Sequence, residues 1–525
     1  MTEANNMKKI AQTEYFFISI LIAVNLTIGI ATLADYGESW DEARLYMYGD
    51  QSINAYQALF NKDIRVDFGD DDLRYYGPAY FMGMSMLVRG AHNFFPQIPE
   101  IDLWHIGNFT CLQSGLVCFY LLARRYINVV PALATMALLA TQPLIWGHGF
   151  INPKDIPFMA FFTASILFGL RMLDDFERQN FEFRRLLANP QFYIAALSLG
   201  ITISIRILGF SAAVIVLFYF AFININKVLR LSYVYYGSAL IVSFLTWPFL
   251  WSSPISNFLK SIYAMLKFQW VGQTLFNGNY YPSNQLPQAY VPQLLVMQLT
   301  EPTLLLFAIG ITVFLLPDLR KKYKGPIILF LAWFVVPILY ILVNGMNLYD
   351  NTRQLLFIFP GAFLMIALGL DFMFTRIKPW WTKILLLGLM VLPGPIGIAR
   401  FHPYEYTYYN HFTTSRRQIF RNFETDYWAT SFKQISSFLN VQAPKNALVL
   451  VWGPGQLIER YAREDIQVKS FDELDGMDYS AHPYYLVLTT RYDMDLKIFP
   501  EIAPIYSVEH NDAILSVLKY IAPKD

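Results

Sequence analysis

Cysteine and charge are both scarce in this chain of 525 residues. The only two cysteines, Cys111 and Cys118, lie in one apolar run, seven residues apart on one helix face. They read as packing residues, and with none elsewhere a disulfide framework is excluded. Asp, Glu, Lys and Arg make up 15% of the residues, against about 25% in an average soluble chain. That deficit excludes a soluble globular protein. The net charge of +1 by itself says nothing about nucleic acid, because the signal lies in where the charges sit; no nucleic-acid partner is expected. A dinucleotide fingerprint is also missing, because the glycines of Gly453-Pro454-Gly455 lack the required spacing.

Apolar and aromatic residues are abundant. Hydrophobic residues make up 55% of the chain and aromatics 17%, with a mean hydropathy of +0.35. Runs long enough to span a bilayer, at about 20 residues each, start at Tyr15, Trp104 and Val129. Others start near Asp155, Tyr233, Pro302, Pro326, Gln354 and Lys383. The run from Gln191 to Ile223 is too long for one span, and Arg206 and Gly209 interrupt it. It reads as two short helices in a hairpin. The expected fold class is thus an all-α polytopic membrane protein of about eleven helices. The first run exceeds the ~7–15 residues of a signal peptide's apolar core and reads as an uncleaved helix; cleavage after Ala34 is the competing reading.

The placement of Lys and Arg orients the chain. Lys8 and Lys9 set the N-terminus inside. Alternation then puts Arg124 and Arg125; Arg178, Arg184 and Arg185; Lys227 and Arg230; Arg320, Lys321, Lys322 and Lys324; and Arg376, Lys378 and Lys383 on the same side. Acidic residues such as Asp63, Asp67, Asp70, Asp71 and Asp72 fall on the other. The expectation is an N-terminus inside, a C-terminus outside and a bacterial inner (plasma) membrane location. The membrane part covers residues 1–400, with long outer loops at 35–103 and 251–300. Residues 401–525 read as a small exported α/β domain. Within the first loop, the aromatic stretch from Tyr75 reads as an interfacial helix. The second, rich in Trp, Tyr, Pro and Asn, reads as an ordered cover.

Candidate chemistry gathers on the outer side. Asp35, Glu38, Asp41 and Glu42 follow the first span. If the segment is helical, Glu38, Asp41 and Glu42 share one face. A solvated acidic loop is the plainer reading. The short loop His148–Phe158 carries His148, Lys154 and Asp155, where Asp155 also suits a helix N-cap. Arg206 sits in an apolar run, and a charge there has either a function or a route to the interface. Asp350 and Arg353 open a later span, where an ordinary boundary ion pair is the alternative. Carboxylates with scattered cations suit group transfer from a lipid phosphate. A carboxylate takes a proton from the acceptor, and cations neutralise the departing phosphate.

Four local patterns resemble the GT-C glycosyltransferases that use polyprenyl-phosphate sugars, including the protein O-mannosyltransferases and lipid A aminoarabinose transferases. They are WDEARLYMYGD at Trp40–Asp50, YYGPAYF at Tyr75–Phe81, NPKDIPF at Asn152–Phe158, and HPYEYTYYN with FETDYW at His402–Asn410 and Phe423–Trp428. The resemblance implies transfer from a polyprenyl-phosphate-linked sugar to a lipid, glycan or protein acceptor at the outer face, with inversion. It assigns the base to Asp41 and a supporting role to Glu42. The donor phosphate falls to Lys154, Arg206, Arg353 and His148, with Glu38, Asp155 and Asp350 as further site candidates. No cofactor or metal ligand set is implied, and a divalent ion is left open. The β-trefoil insertion of the mannosyltransferases is not visible here. A transporter or flippase of lipid-linked glycans is the rival reading, but it calls for broken helices in both halves, and only Arg206–Gly209 suggests one.

Overall fold

The computed structural model describes residues 2–61, 68, 72–267, 270–345, 347–411, 418–471 and 482–523. Asp63, Asp67, Asp70 and Asp71 lie outside the described residues. Seven described helices are long and apolar enough to cross a membrane, or nine if two bent pairs are each one span. The pairs are Val129–Ala140 with Pro143–Ile151, bent by 61°, and Tyr290–Met297 with Glu301–Leu315, bent by 117°. Length and composition therefore do not reach the expected eleven.

Two segments account for the difference. The helix Pro190–Ile205 is ~24 Å long at ~1.5 Å per residue, short of a ~30 Å hydrocarbon core. The helix Phe210–Leu245 counts once but breaks at Asn224 (φ −152°, ψ 86°). Its arms fold back on each other. Phe210 stacks on Tyr236 at 5.5 Å, and Val216 and Tyr235 both meet the α-carbon face of Gly169. The expected break at Arg206 is present, since the helix Pro190–Ile205 ends there and a 3-10 turn, Ile207–Gly209, begins.

The outer loops are ordered where described. Helix Glu42–Phe60 follows the acidic segment, and Ala79–Phe94 forms the helix expected after Tyr75. The Tyr75–Phe81 turn packs tightly: a Cβ on Gly77 would lie 1.8 Å from the Ser204 carbonyl oxygen. The second loop holds an amphipathic helix, Pro254–Lys267, and a hairpin of β1 (Gln273–Phe276) and β2 (Asn279–Pro282). The hairpin turns on Asn277 and Gly278, both at positive φ. Asn-Gly is the strongest short hairpin signal, and the sequence reading passed over it.

The C-terminal region is a five-stranded sheet. Its strands are β3 (Leu448–Val451), β4 (Gln467–Ser470), β5 (Tyr484–Thr489), β6 (Tyr506–His510) and β7 (Ala513–Ile521), in the order β4-β3-β5-β7-β6. β3 runs parallel to β4 and β5, whereas β7 is antiparallel to β5 and β6. The sequence reads as short strands at Ala447–Trp452, Tyr484–Thr490, Ile505–Glu509 and Ala513–Tyr520; β3, β5, β6 and β7 fall there, and β4 was not expected. The sheet region docks on the acidic loop: the Trp40 amide donates to the Trp428 carbonyl at 3.2 Å, and Lys433 donates to the Ala34 and Tyr36 carbonyls at 2.6 and 2.9 Å.

Candidate active site

The carboxylates of the acidic segment diverge. Helix Glu42–Phe60 starts at Glu42, with Asp41 as its N-cap, so Glu38 and Asp41 precede the helix and the expected common face does not form. Glu38 is buried and pairs with Arg460 of the C-terminal region. Burial pushes its carboxyl up to about 7, against the pull of Arg460. Glu42 turns into the protein. It accepts from the Ser39 amide at 2.6 Å and from the Tyr46 hydroxyl, and it lies 3.0 Å from His105 Nε2. That histidine contact is an ion-pair distance without hydrogen-bond geometry. Asp35 is exposed and lies 2.9 Å from His402 Nε2; Asp41, with 42% of its side chain exposed, instead has its Oδ2 3.7 Å from Arg353 Nη1.

Around Arg353 the outer-side charges converge. The Asp155 carboxylate is 2% exposed. Arg206 donates to its Oδ1, and Arg353 reaches its Oδ2 at 3.4 Å. Asn152 holds this residue twice: its side-chain amide donates to the carboxylate Oδ2 at 3.0 Å, and its Oδ1 accepts from the Asp155 backbone amide at 2.8 Å. Asp155 is thus the first residue of its helix, not the expected N-cap. Its carboxylate serves the two arginines instead of the helix end.

Asp350 closes the other side. Its Oδ2 accepts from Arg353 Nη2 at 2.8 Å, and its Oδ1 from Arg491 Nη2 at 2.6 Å. Asp350 holds this position at φ 56°, a left-handed backbone that Asp tolerates better than most residues. The Arg353 guanidinium lies between two aromatic faces, 4.9 Å from both Tyr349 and Trp428. Such cation–π contacts fix a guanidinium that few water molecules reach. Arg491 comes from the C-terminal region and was missed. Its only signal is a basic residue just after an apolar strand, which many surface arginines share.

Lys154 sits beside the cluster, its Nζ 3.7 Å from the centre of the Tyr76 ring. Tyr48 donates to the Tyr76 carbonyl at 2.6 Å and holds the motif in place. Burial pushes the Tyr76 phenol up, but Lys154 and Arg206 outweigh it and hold the phenol below its ordinary range. Tyr76 therefore reports that both cations act on one spot. His148 is elsewhere. It is fully buried, with Nδ1 3.2 Å from the Asn152 amide and Nε2 3.1 Å from the Tyr427 hydroxyl. It stands behind the Asp155 cluster with neither nitrogen free for a phosphate.

The result is a basin with Lys154, Arg206 and Arg353 on one wall and the exposed Asp41 carboxylate at its edge. Among the described residues, no three His, Cys, Asp or Glu side chains gather closely enough to hold a metal ion.

Residues 94–251 match the family model of dolichyl-phosphate-mannose-protein mannosyltransferases. No curated protein matches the chain. Two crystal structures of ArnT from Cupriavidus metallidurans share its architecture. The apo form aligns at TM-score 0.55 and 11% identity, over 98% of this chain and 100% of that one. The form bound to undecaprenyl phosphate aligns at 0.52 and 11%, over 97% and 99%. The apo oligosaccharyltransferase of Archaeoglobus fulgidus aligns at 0.52 and 12%, over 92% of this chain and 70% of that one. The chain therefore shares the GT-C fold of these proteins, and its residues 94–251, which include the Asn152–Phe158 motif, resemble the mannosyltransferase family.

Proposed function

We propose that the protein is an integral membrane glycosyltransferase that moves a sugar from a polyprenyl phosphate to an acceptor at the outer face, with inversion. One observation carries this reading: of the two exposed carboxylates of the acidic segment, Asp35 pairs with His402, whereas Asp41 lies 3.7 Å from Arg353, at the edge of a cationic basin. The undecaprenyl phosphate held by the ArnT of the same fold supports a polyprenyl phosphate as the donor here.

In this reading Asp41 takes the proton from an acceptor hydroxyl or amine as that atom attacks the anomeric carbon. The carbon–oxygen bond to phosphate breaks, and its electron pair leaves with the polyprenyl phosphate. Lys154, Arg206 and Arg353 stabilise the charge gathering there. The arginine fork matches two phosphate oxygens, while lysine supplies a point charge. Asp155 and Asp350 are positioning residues: they hold the two arginines in place before substrate arrives. Their negative charge also stops the basin from binding the product phosphate too tightly. Glu42, turned inward, fixes the start of the helix that carries Asp41. The proposed setting is a bacterial inner membrane, with the N-terminus cytoplasmic and the C-terminal region exported.

The test is a transfer assay in membranes with a panel of radiolabelled polyprenyl-phosphate sugars. At least one donor should be consumed, releasing polyprenyl phosphate and moving label to an acceptor. Movement of an intact lipid-linked sugar across the vesicle, with no bond broken, would establish the flippase reading instead.

A further inference from the structure

A second cleft opens beside Arg491, on the side away from Asp41. Its walls come from three separated segments: the β1–β2 hairpin, residues 420–427, and residues 490–493. With its mouth included the space is about 320 Å³, of which about 20 Å³ admits the centre of a water molecule. The inner part holds about one water molecule, so a ligand reaches it with a single substituent from the open mouth, and a lipid chain does not fit.

The chemistry of the lining is mixed and nearly neutral. Glu424 is 3% exposed and Arg491 9%. Their facing atoms, Glu424 Oε2 and Arg491 Nε, are 3.9 Å apart, too far for a hydrogen bond. Arg491 Nε is buried and has no hydrogen-bond partner among the described residues. Glu424 Oε1 is already used, accepting from the Leu275 amide at 2.9 Å. Burial pushes the Glu424 carboxyl up to about 6, opposed by Arg491. Across the cleft Arg421 pairs with Asp493, and Tyr280 donates to Asp493 at 3.2 Å. The Tyr280 and Tyr492 rings, 5.9 Å apart, supply aromatic faces.

A phosphate would find Glu424, Asp493 and Asp495 against it. An apolar chain would strand the Arg491 donor, and an unmade hydrogen bond of a buried group is costly. Paired donors and acceptors beside aromatic faces suit a hydroxyl on a ring that is apolar above and below. The geometry points to a saccharide subsite in this cleft, with Glu424 and Arg491 taking one hydroxyl of a neutral sugar ring. Arg491 ties it to the basin, because its Nη2 bonds Asp350, which in turn holds Arg353. The inference rests on the transferase reading for its role, and it covers two sources: the sugar of the donor or a sugar of the acceptor.

Binding is tested without turnover. Saturation-transfer NMR on the full chain in lipid nanodiscs, with a panel of neutral methyl pyranosides, should show at least one binder. Glu424→Gln should weaken it about ten- to a hundredfold, as loss of a hydrogen bond to a charged group implies. Tyr280→Phe, which keeps the ring, should weaken it less, and Asp41→Asn should leave it intact. Absence of binding by every pyranoside, or binding indifferent to both cleft substitutions, overturns the subsite. The transfer assay then separates the sources. A raised donor KM in Glu424→Gln assigns the donor's sugar, and a raised acceptor KM assigns the acceptor's. A fall in kcat with both KM values unchanged also overturns it. Pyranoside binding without transfer from any polyprenyl donor would leave the subsite standing and remove only the transferase reading.

Discussion

Replacing Asp41 with asparagine separates chemistry from stability, because the structure predicts very different sizes for the two effects. The Asp41 side chain is 42% exposed and 3.7 Å from Arg353. Arg353 is buried, but at this distance, beyond hydrogen bonding, and with Asp41 half-exposed the pair contributes little, about 1 kcal/mol. Arg353 keeps its other partners, Asp350 at 2.8 Å and Asp155 at 3.4 Å, so no buried charge is stranded. The Asp41 side chain makes no capping hydrogen bond to helix Glu42–Phe60, so no helix cap is lost. The unfolding midpoint in detergent should therefore barely move. Transfer is another matter. Loss of a general base costs about 10²–10⁴-fold, or about 2.7–5.4 kcal/mol of barrier at about 1.36 kcal/mol per tenfold. Single-turnover release of polyprenyl phosphate, with donor saturating, measures the chemical step. Near-normal release in Asp41→Asn refutes the assignment of the base. A large fall in the unfolding midpoint alongside lost activity refutes the separation, and would make Asp41 a structural residue.

Asp155→Ala should behave in the opposite way. It takes from Arg206 its carboxylate partner, while Arg353 keeps Asp350, and breaking a buried pair costs about 3–5 kcal/mol; an unchanged unfolding midpoint would contradict this. Glu424 gives a pH dependence. Its folded carboxyl titrates at about 6 against 4.5 for the free group, so the folded state binds more protons in that window and stability falls as pH rises through it. The full effect is about 2 kcal/mol at about 1.36 kcal/mol per unit. Glu424→Gln should remove that decline, so the variant gains on the native protein above pH 6; a difference independent of pH would argue against it. Finally, Glu38 pairs with Arg460, and Trp40 hydrogen-bonds to Trp428, so the acidic loop and the C-terminal sheet occupy one side of the membrane. Reporters inserted in each should share a compartment, and opposite signals would refute this packing.

Much of the architecture was legible locally. Hydrophobic length marks a membrane-embedded chain because bilayer thickness sets the length of apolar runs. Short runs rich in apolar and β-branched residues marked β3, β5, β6 and β7, since such residues favour strands. A lone arginine in an apolar run marked the break at Arg206, because an unpaired charge there is unfavourable. The Asn277-Gly278 turn was equally local and was overlooked. Span counting was less secure, because bends such as the 117° between Met297 and Glu301 depend on neighbours, not on hydropathy.

The site divides along the same line. Residue type and motif singled out Asp41, Lys154, Arg206, Arg353, Asp155 and Asp350, because charges beside apolar runs are costly and rare. The sequence could not say which carboxylate stays open. Asp41 and Glu42 are adjacent, yet one faces the basin and the other is buried against His105 and Tyr46. The start of a single helix decided that. Nor could it supply Arg491, which lies 138 residues from Arg353 in the chain and reaches the site only because the sheet docks there. Charge, hydropathy and turn chemistry are local, and the sequence carries them by itself. Which charges neutralise one another depends on distances of a few ångströms between remote segments, and only the packed structure sets those.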